Sequence, residues 1–138
     1  MRYYLDTNIL VFILSNPKED ITREVAERIF DYSNQLYASS ITINELILLY
    51  KTGKIELSDC KSAEDIITKI KFYDIEIIYY NQYHLSKYVA LNLASDHKDA
   101  NDHAIIAQAI ADKIPIISSD GKFKLYEKQG LQLVFNKR

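Results

Sequence analysis

Apolar and polar positions along the chain change period repeatedly, from continuous or alternating short runs to spacings of three and four, and this predicts strands alternating with helices. Tyr3 to Leu5 reads as a short buried strand, and the apolar run Ile9 to Leu14 follows it as a helix, with Thr7 and Asn8 at the entrance. Ile21, Val25, Ile29 and Phe30 form one stripe of an amphipathic helix over about 21–33. QLYAS (35–39) reads as a second strand leading into a helix with Ile43, Leu46, Ile47 and Tyr50 on one face, stopped by Gly53. Ser58 and Asp59 can cap a further helix striped by Ile66, Ile67 and Ile70. DIEIIYY (74–80) is rich in β-branched residues and reads as strand three.

From Tyr83 to Leu93 the spacing is helical again, with Leu85, Tyr88, Val89 and Leu93 expected inward. SDHKDAND (95–102) interrupts the pattern before AIIAQAIADK resumes it. IPIIS (114–118) reads as a fully buried fourth strand closed by the turn Ser119, Asp120, Gly121. A short helix ended by Gly130, a fifth strand LQLVF (131–135) and a basic tail, Asn136 to Arg138, complete the chain. Such alternation argues for a parallel sheet covered by helices on both faces.

The chain has 138 residues, 48% of them apolar, with three Gly, two Pro, no repeat and no linker-like tract. One domain spanning 1–138 is expected. Cys60, the single cysteine, has no partner for an internal disulfide or a structural zinc and suits a reducing compartment. The run Ile9 to Leu14 is too short to span a membrane and no small-residue cleavage site follows it, so the expected location is cytoplasmic, with no membrane partner. A net charge of -2 argues against a generic basic nucleic-acid binder.

Five acids alter that conclusion. Asp6 ends strand one, Glu45 lies in the first turn after strand two, Asp99 and Asp102 flank the helix before strand four, and Asp120 follows strand four. Each has a structural explanation: Asp6 and Asp99 as helix caps, Thr42 to Glu45 as a capping box, Asp120-Gly121 as turn chemistry. Together they fall at strand exits and helix entrances, which a parallel sheet gathers along one edge. Crowded carboxylates stay ionised together only when a cation compensates them; otherwise some of them take up protons. Oxygen-only ligation suits Mg²⁺, with Mn²⁺ as the other possibility, and zinc is expected to be a poor replacement for want of a Cys/His ligand set. Such a site activates water against a phosphodiester. Thr7, Asn8, Ser118 and Ser119 add neutral hydrogen-bonding groups beside the acids. Setting the five acids aside leaves 14 acidic side chains against 17 basic ones, and Lys51, Lys54, Lys122 and Lys124 are the cations expected to meet phosphates.

The series LDTN (5–8), ITINE (41–45), HKDANDHAIIAQAIADKIPIISSD (97–120) and Phe123 resembles a PIN domain, within that family the VapC-type toxins of bacterial toxin-antitoxin pairs, over essentially the whole chain. The resemblance implies a three-layer α/β/α sandwich with a five-stranded parallel sheet in the order 3-2-1-4-5. It further implies a Mg²⁺- or Mn²⁺-dependent ribonuclease acting on RNA, a homodimer and an antitoxin partner. In it Asp6, Glu45, Asp102 and Asp120 correspond to the family's acidic ligands and catalytic residues. Asp99 corresponds to an additional acid, Asn8 to a small polar residue near the metal, and Ser118 to the place of a frequent Thr. Ala100-Asn101 stands where many relatives have Pro-Phe, and His103 where many have Arg.

Of the histidines, His84 reads as a surface or half-buried residue and His97 as a solvated loop residue; His103, beside Asp102, is a candidate to approach substrate or donate a proton, set against the different directions of consecutive helix side chains. Tyr3, Tyr4, Tyr50, Tyr79 and Tyr88 read as core or interface. The segments Ile9 to Leu14 and Ile47 to Tyr50 are expected to leave apolar surface for a groove that receives an antitoxin segment. A receiver-type phosphoacceptor domain would need an acid where Tyr79-Tyr80-Asn81 ends strand three. The alternative function is a non-catalytic RNA- or partner-binding module on the same fold.

Overall fold

The structure is a computed structural model that describes residues 1–15 and 20–137; Arg138 of the expected basic tail lies outside the described residues. Five strands, β1 (Arg2–Leu5), β2 (Gln35–Ser39), β3 (Ile75–Ile78), β4 (Ile116–Ser118) and β5 (Leu133–Phe135), form one parallel sheet in the order β3-β2-β1-β4-β5. Register pairs Tyr3 with Leu36, Leu36 with Ile75, Leu5 with Ile117 and Ile117 with Val134. Six α-helices are described: α1 (Thr7–Ser15), α2 (Arg23–Ile29), α3 (Ser40–Lys51), α4 (Ala63–Phe72), α5 (Gln82–Ala90) and α6 (Ala100–Asp112).

Alternation along the strands divides the core into two layers. Tyr3, Leu5, Leu36, Ala38, Ile75 and Ile117 pack against Ile9 and Leu10 of α1, Val25 of α2, Leu46 of α3, and Ile66 and Ile70 of α4. Tyr4 and Ile116 face the other way, onto Ile106, Ala109 and Ile110 of α6 and onto Phe123 and Tyr126. Because all strands run parallel, Asp6, Ser39 and Ser118 emerge at the same edge.

Several local expectations are corrected. The Ser58-Asp59 cap gives way to Ser62 as the N-cap of α4. Glu45 lies in the second turn of α3 because Ser39 begins the helix, its hydroxyl accepting from the Ile41 amide, so Thr42 and Glu45 form no capping box. The last helix is a 3-10 helix, Gly121–Gln129, which Gly130 closes at φ +104°, a backbone angle that glycine adopts without steric cost. Strand three stops at Ile78, so Tyr79 is 71% exposed.

Along α5 most of the expected inward stripe turns outward: Leu85 and Val89 are exposed, as is Leu93 beyond its end, Tyr88 is half-buried, and the buried residue is His84. His84 Nδ1 accepts from the Asn81 amide, completing a capping box, and Nε2 lies 2.9 Å from Asp112 Oδ1. This polar anchorage holds the helix on α6 where apolar packing was expected. The expected apolar groove is also smaller than its sequence suggests, since Ile9, Leu10, Phe12, Ile13 and Leu14 are buried in the core and only Val11 of that run is half-exposed. On α3, Ile47, Leu49 and Tyr50 are half-buried and Leu48 is exposed. No helix among the described residues is long and apolar enough to cross a membrane.

Candidate active site

Asp6 occupies the junction between β1 and α1. Its backbone amide donates to the Ile117 carbonyl and its own carbonyl accepts from Ile9 and Leu10, so the backbone is pinned in both the sheet and the helix. Its carboxylate is equally constrained: Oδ1 accepts from the Thr7 amide at 2.8 Å, and Oδ2 accepts from Ser118 Oγ at 2.6 Å and from Asn8 Nδ2 at 3.3 Å. Ser118 Oγ also accepts from the Asp120 amide, and Asn8 Oδ1 from the Ser119 amide, tying the exits of β1 and β4 together.

Asp6, Thr7, Asn8, Glu45, Asp99, Asp102 and Asp120 line one cavity of about 340 Å³ together with Val11, Phe12 and Leu49. Ser118 is wholly buried beneath Asp6. The capping roles persist alongside this convergence. Asp99 Oδ1 accepts from the Asn101 and Asp102 amides at the start of α6, and Asp120 Oδ1 accepts from the Lys122 amide at the start of the 3-10 helix. Glu45 Oε2 accepts from Asn101 Nδ2 at 3.1 Å. Among the described residues the second oxygen of Asp99, Asp120 and Glu45 has no hydrogen-bond partner, so one oxygen holds each side chain and the other remains available for a ligand.

Removal from water pushes the Asp6 carboxyl up to about 7; the charges of Asp102 and Glu45 act in the same direction, against the hydrogen bonds from Ser118 and Thr7. Asp102 also rises to about 7, first through burial and then through Asp99, Asp120 and Glu45. Two carboxyls with raised affinity for protons in one acidic cavity mark a place where a cation would be favourable.

The PIN domain family model matches residues 3–129. The chain belongs to the PIN domain family. Among curated proteins none matches the sequence. Among solved structures, the PIN fold seen here resembles VapBC2 from Rickettsia felis bound to a DNA fragment from their promoter, with TM-score 0.65 and 23% identity over 99% of this chain and 100% of that one. VapBC-1 from nontypeable Haemophilus influenzae is similar with TM-score 0.68 and 23% identity over 98% of each chain. A toxin-antitoxin complex from Klebsiella pneumoniae is similar with TM-score 0.58 and 23% identity over 86% of each chain.

For this PIN domain the donor set fits a hard divalent cation: carboxylate oxygens are the ligands that Mg²⁺ and Mn²⁺ take, and they carry the negative charge such an ion offsets. One neighbour of these acids was not expected. His97 is buried, with Nε2 3.0 Å from Asp102 Oδ2. The ligand atoms of His97, Asp102 and Asp120 all lie within 4.8 Å of one another. The reading of His97 as solvated is therefore corrected. His103 is likewise buried, its Nε2 2.8 Å from the His97 carbonyl oxygen, away from the cavity.

Asn136 belongs to the support of this edge rather than to a solvated tail. It is wholly buried, accepts from the Thr22 amide and donates to the Asp20 carbonyl and Ser119 Oγ. Nothing in the spacing of His97 or Asn136 distinguishes them from ordinary loop residues. Of the expected cations, Lys122 reaches the Asp96 carbonyl and Lys124 lies over the Phe135 ring at 4.0 Å. Lys51 and Lys54 lie at and beyond the far end of α3, past Glu45.

Proposed function

We propose that the chain is a divalent-cation-dependent endoribonuclease that hydrolyses RNA phosphodiester bonds as the toxin of a toxin-antitoxin pair. The observation that carries this reading is the convergence of Asp6, Glu45, Asp99, Asp102 and Asp120 on one cavity at the carboxyl edge of the sheet, with Asp6 and Asp102 both raised to about 7. Asp6, Glu45, Asp102 and Asp120 are the catalytic acids and, with Asp99, the metal ligands; Mg²⁺ is the cofactor, with Mn²⁺ able to replace it. When bound, the cation supplies positive charge to the phosphoryl oxygens and lowers the pKa of a water.

The protein's own part is positioning. Ser118, Asn8 and the Thr7 amide fix both oxygens of Asp6, and Asn101 orients Glu45, so these carboxylates need no rearrangement to present their charge. The scissile phosphate enters beside Asp102 and Asp120, where Lys122 partly offsets the Asp102 charge. No Ser, Thr or Cys nucleophile is required, because water is the attacking group.

Similarity to VapBC2, VapBC-1 and the Klebsiella toxin-antitoxin complex supports an antitoxin partner. The reading extends to a homodimer and to a cytoplasmic single PIN-like domain over 1–138. Purified protein incubated with total RNA should cleave it with Mg²⁺ or Mn²⁺ and fail with chelator. Expression without its antitoxin should slow growth, and the Asp6→Asn variant should not. Cleavage that resists chelator, or equal toxicity of Asp6→Asn, would overturn the catalytic reading in favour of a non-catalytic RNA- or partner-binding module.

A further inference from the structure

Beneath the acidic cavity lies a buried ring cluster. His97 packs edge-on against His103 with centroids 4.8 Å apart and against Tyr126 at 5.4 Å, and also touches Phe123. The His97 backbone is held at both ends: its amide donates to the Ala94 carbonyl, and its carbonyl accepts from His103 Nε2. The loop between α5 and α6 is thereby fastened to the 3-10 helix that follows Asp120.

Two independent contacts fix which ring nitrogen carries the proton. Tyr126 has no exposed surface, and its hydroxyl oxygen accepts from the Ala94 amide at 3.2 Å, so the hydroxyl hydrogen needs an acceptor. His97 Nδ1, 2.9 Å away, provides it. The proton of a neutral imidazole must then sit on Nε2, and Nε2 faces Asp102 Oδ2 at 3.0 Å. An unprotonated Nε2 would set a lone pair against the carboxylate and leave the Tyr126 hydroxyl without an acceptor.

We infer that His97 is a positioning residue: through Ala94 N–H to Tyr126, Tyr126 O–H to Nδ1, and Nε2–H to Asp102, it locks Oδ2 of Asp102 and leaves Oδ1 as the oxygen offered to a divalent cation. The inference rests on the metal-site reading above. Hydrogen bonds behind a ligand hold its orientation, and their loss weakens metal affinity about 10- to 100-fold. Gln can place a side-chain N–H near the former Nε2, whereas Leu cannot.

The test uses the full chain. ¹⁵N NMR of the chelated protein should find His97 with its proton on Nε2, and that proton should remain when Mg²⁺ is added. Mn²⁺ titration followed by electron paramagnetic resonance should give His97→Leu at least about tenfold weaker binding than the parent, with His97→Gln recovering most of the loss. Tyr126→Phe should shift the tautomer equilibrium and weaken Mn²⁺ binding less than His97→Leu does. Asp102→Asn identifies the site. If the parent binds Mn²⁺, Asp102→Asn loses it and a folded His97→Leu matches the parent, the positioning role is wrong while the metal site stands. Loss of the Nε2 proton on addition of cation would make His97 itself a ligand and overturn the inference. If neither Asp102→Asn nor His97→Leu changes Mn²⁺ binding, the metal-site reading falls and the positioning role falls with it. Should His97→Leu unfold, the His97→Gln and Tyr126→Phe affinities with the tautomer measurement decide the matter alone.

Discussion

Replacing Asp102 by Asn separates a metal ligand from a residue that only favours a helix entrance. Asp102 sits in the first turn of α6, where a negative charge gains roughly 0.3 to 1 kcal/mol from the helix dipole. Against this stands a carboxyl raised from 3.8 to about 7 by burial and by Asp99, Asp120 and Glu45. At about 1.4 kcal/mol per pKa unit the full penalty would approach about 4 kcal/mol, and water at the open side of the cavity reduces it to about 1 to 2. Asn keeps an oxygen to accept from His97 Nε2, so little packing is lost. The metal-free variant should therefore be more stable than the parent by about 1 kcal/mol at pH 8, a rise of roughly 3 °C in Tm.

The sign follows from linkage. A carboxyl whose folded pKa exceeds its unfolded value contributes stability that is full below about 3.8 and is lost as pH rises through about 7. The advantage of Asp102→Asn should thus open between pH 4 and pH 8 and close again at pH 4. Thermal melts in chelator across that range, repeated with Mg²⁺, provide the assay; Mg²⁺ should raise the parent more than the variant. A variant less stable than the parent at pH 8 and equally responsive to Mg²⁺ would refute this reasoning.

Ser118→Ala removes the hydroxyl that holds Asp6 down, so the Asp6 pKa, followed by carboxyl ¹³C shift in chelator, should rise above about 7; no change would deny that hydrogen bond its role. Leu46→Ala, at a fully buried position beside Glu45, should cost about 2 to 5 kcal/mol in urea unfolding, and a loss under about 1 would mean the core at α3 collapses around the gap. Gly130→Ala forces a side chain into a φ of +104° and should cost at least about 1 kcal/mol by the same measurement.

Periodicity was sufficient for the alternation of strands and helices, because β4 and α6 are buried almost throughout and their apolar runs have no competing explanation. It failed on α5, where Leu85, Val89 and Leu93 define a helical face but not which side it turns; the anchoring of His84 by Asp112 settles that in space, 28 residues away in sequence. The stops after α4 and α6 carry no glycine: Asp74 and Lys113 take positive φ there, at positions where glycine is the usual signal. The five acids were legible as a set because each lies at, or within two turns of, a strand exit or helix entrance. His97 was not, since its placement depends on Tyr126 and His103 meeting it across the 3-10 helix and α6.

Cleavage of RNA in ¹⁸O-labelled water tests the central claim most directly. If the acidic cavity activates water, each Mg²⁺-dependent cut should place one ¹⁸O in the terminal phosphate of a product, with no 2′,3′-cyclic phosphate, and Asp6→Asn should abolish both cutting and labelling. Unlabelled cyclic phosphate ends, or labelled cutting that survives Asp6→Asn, would contradict it.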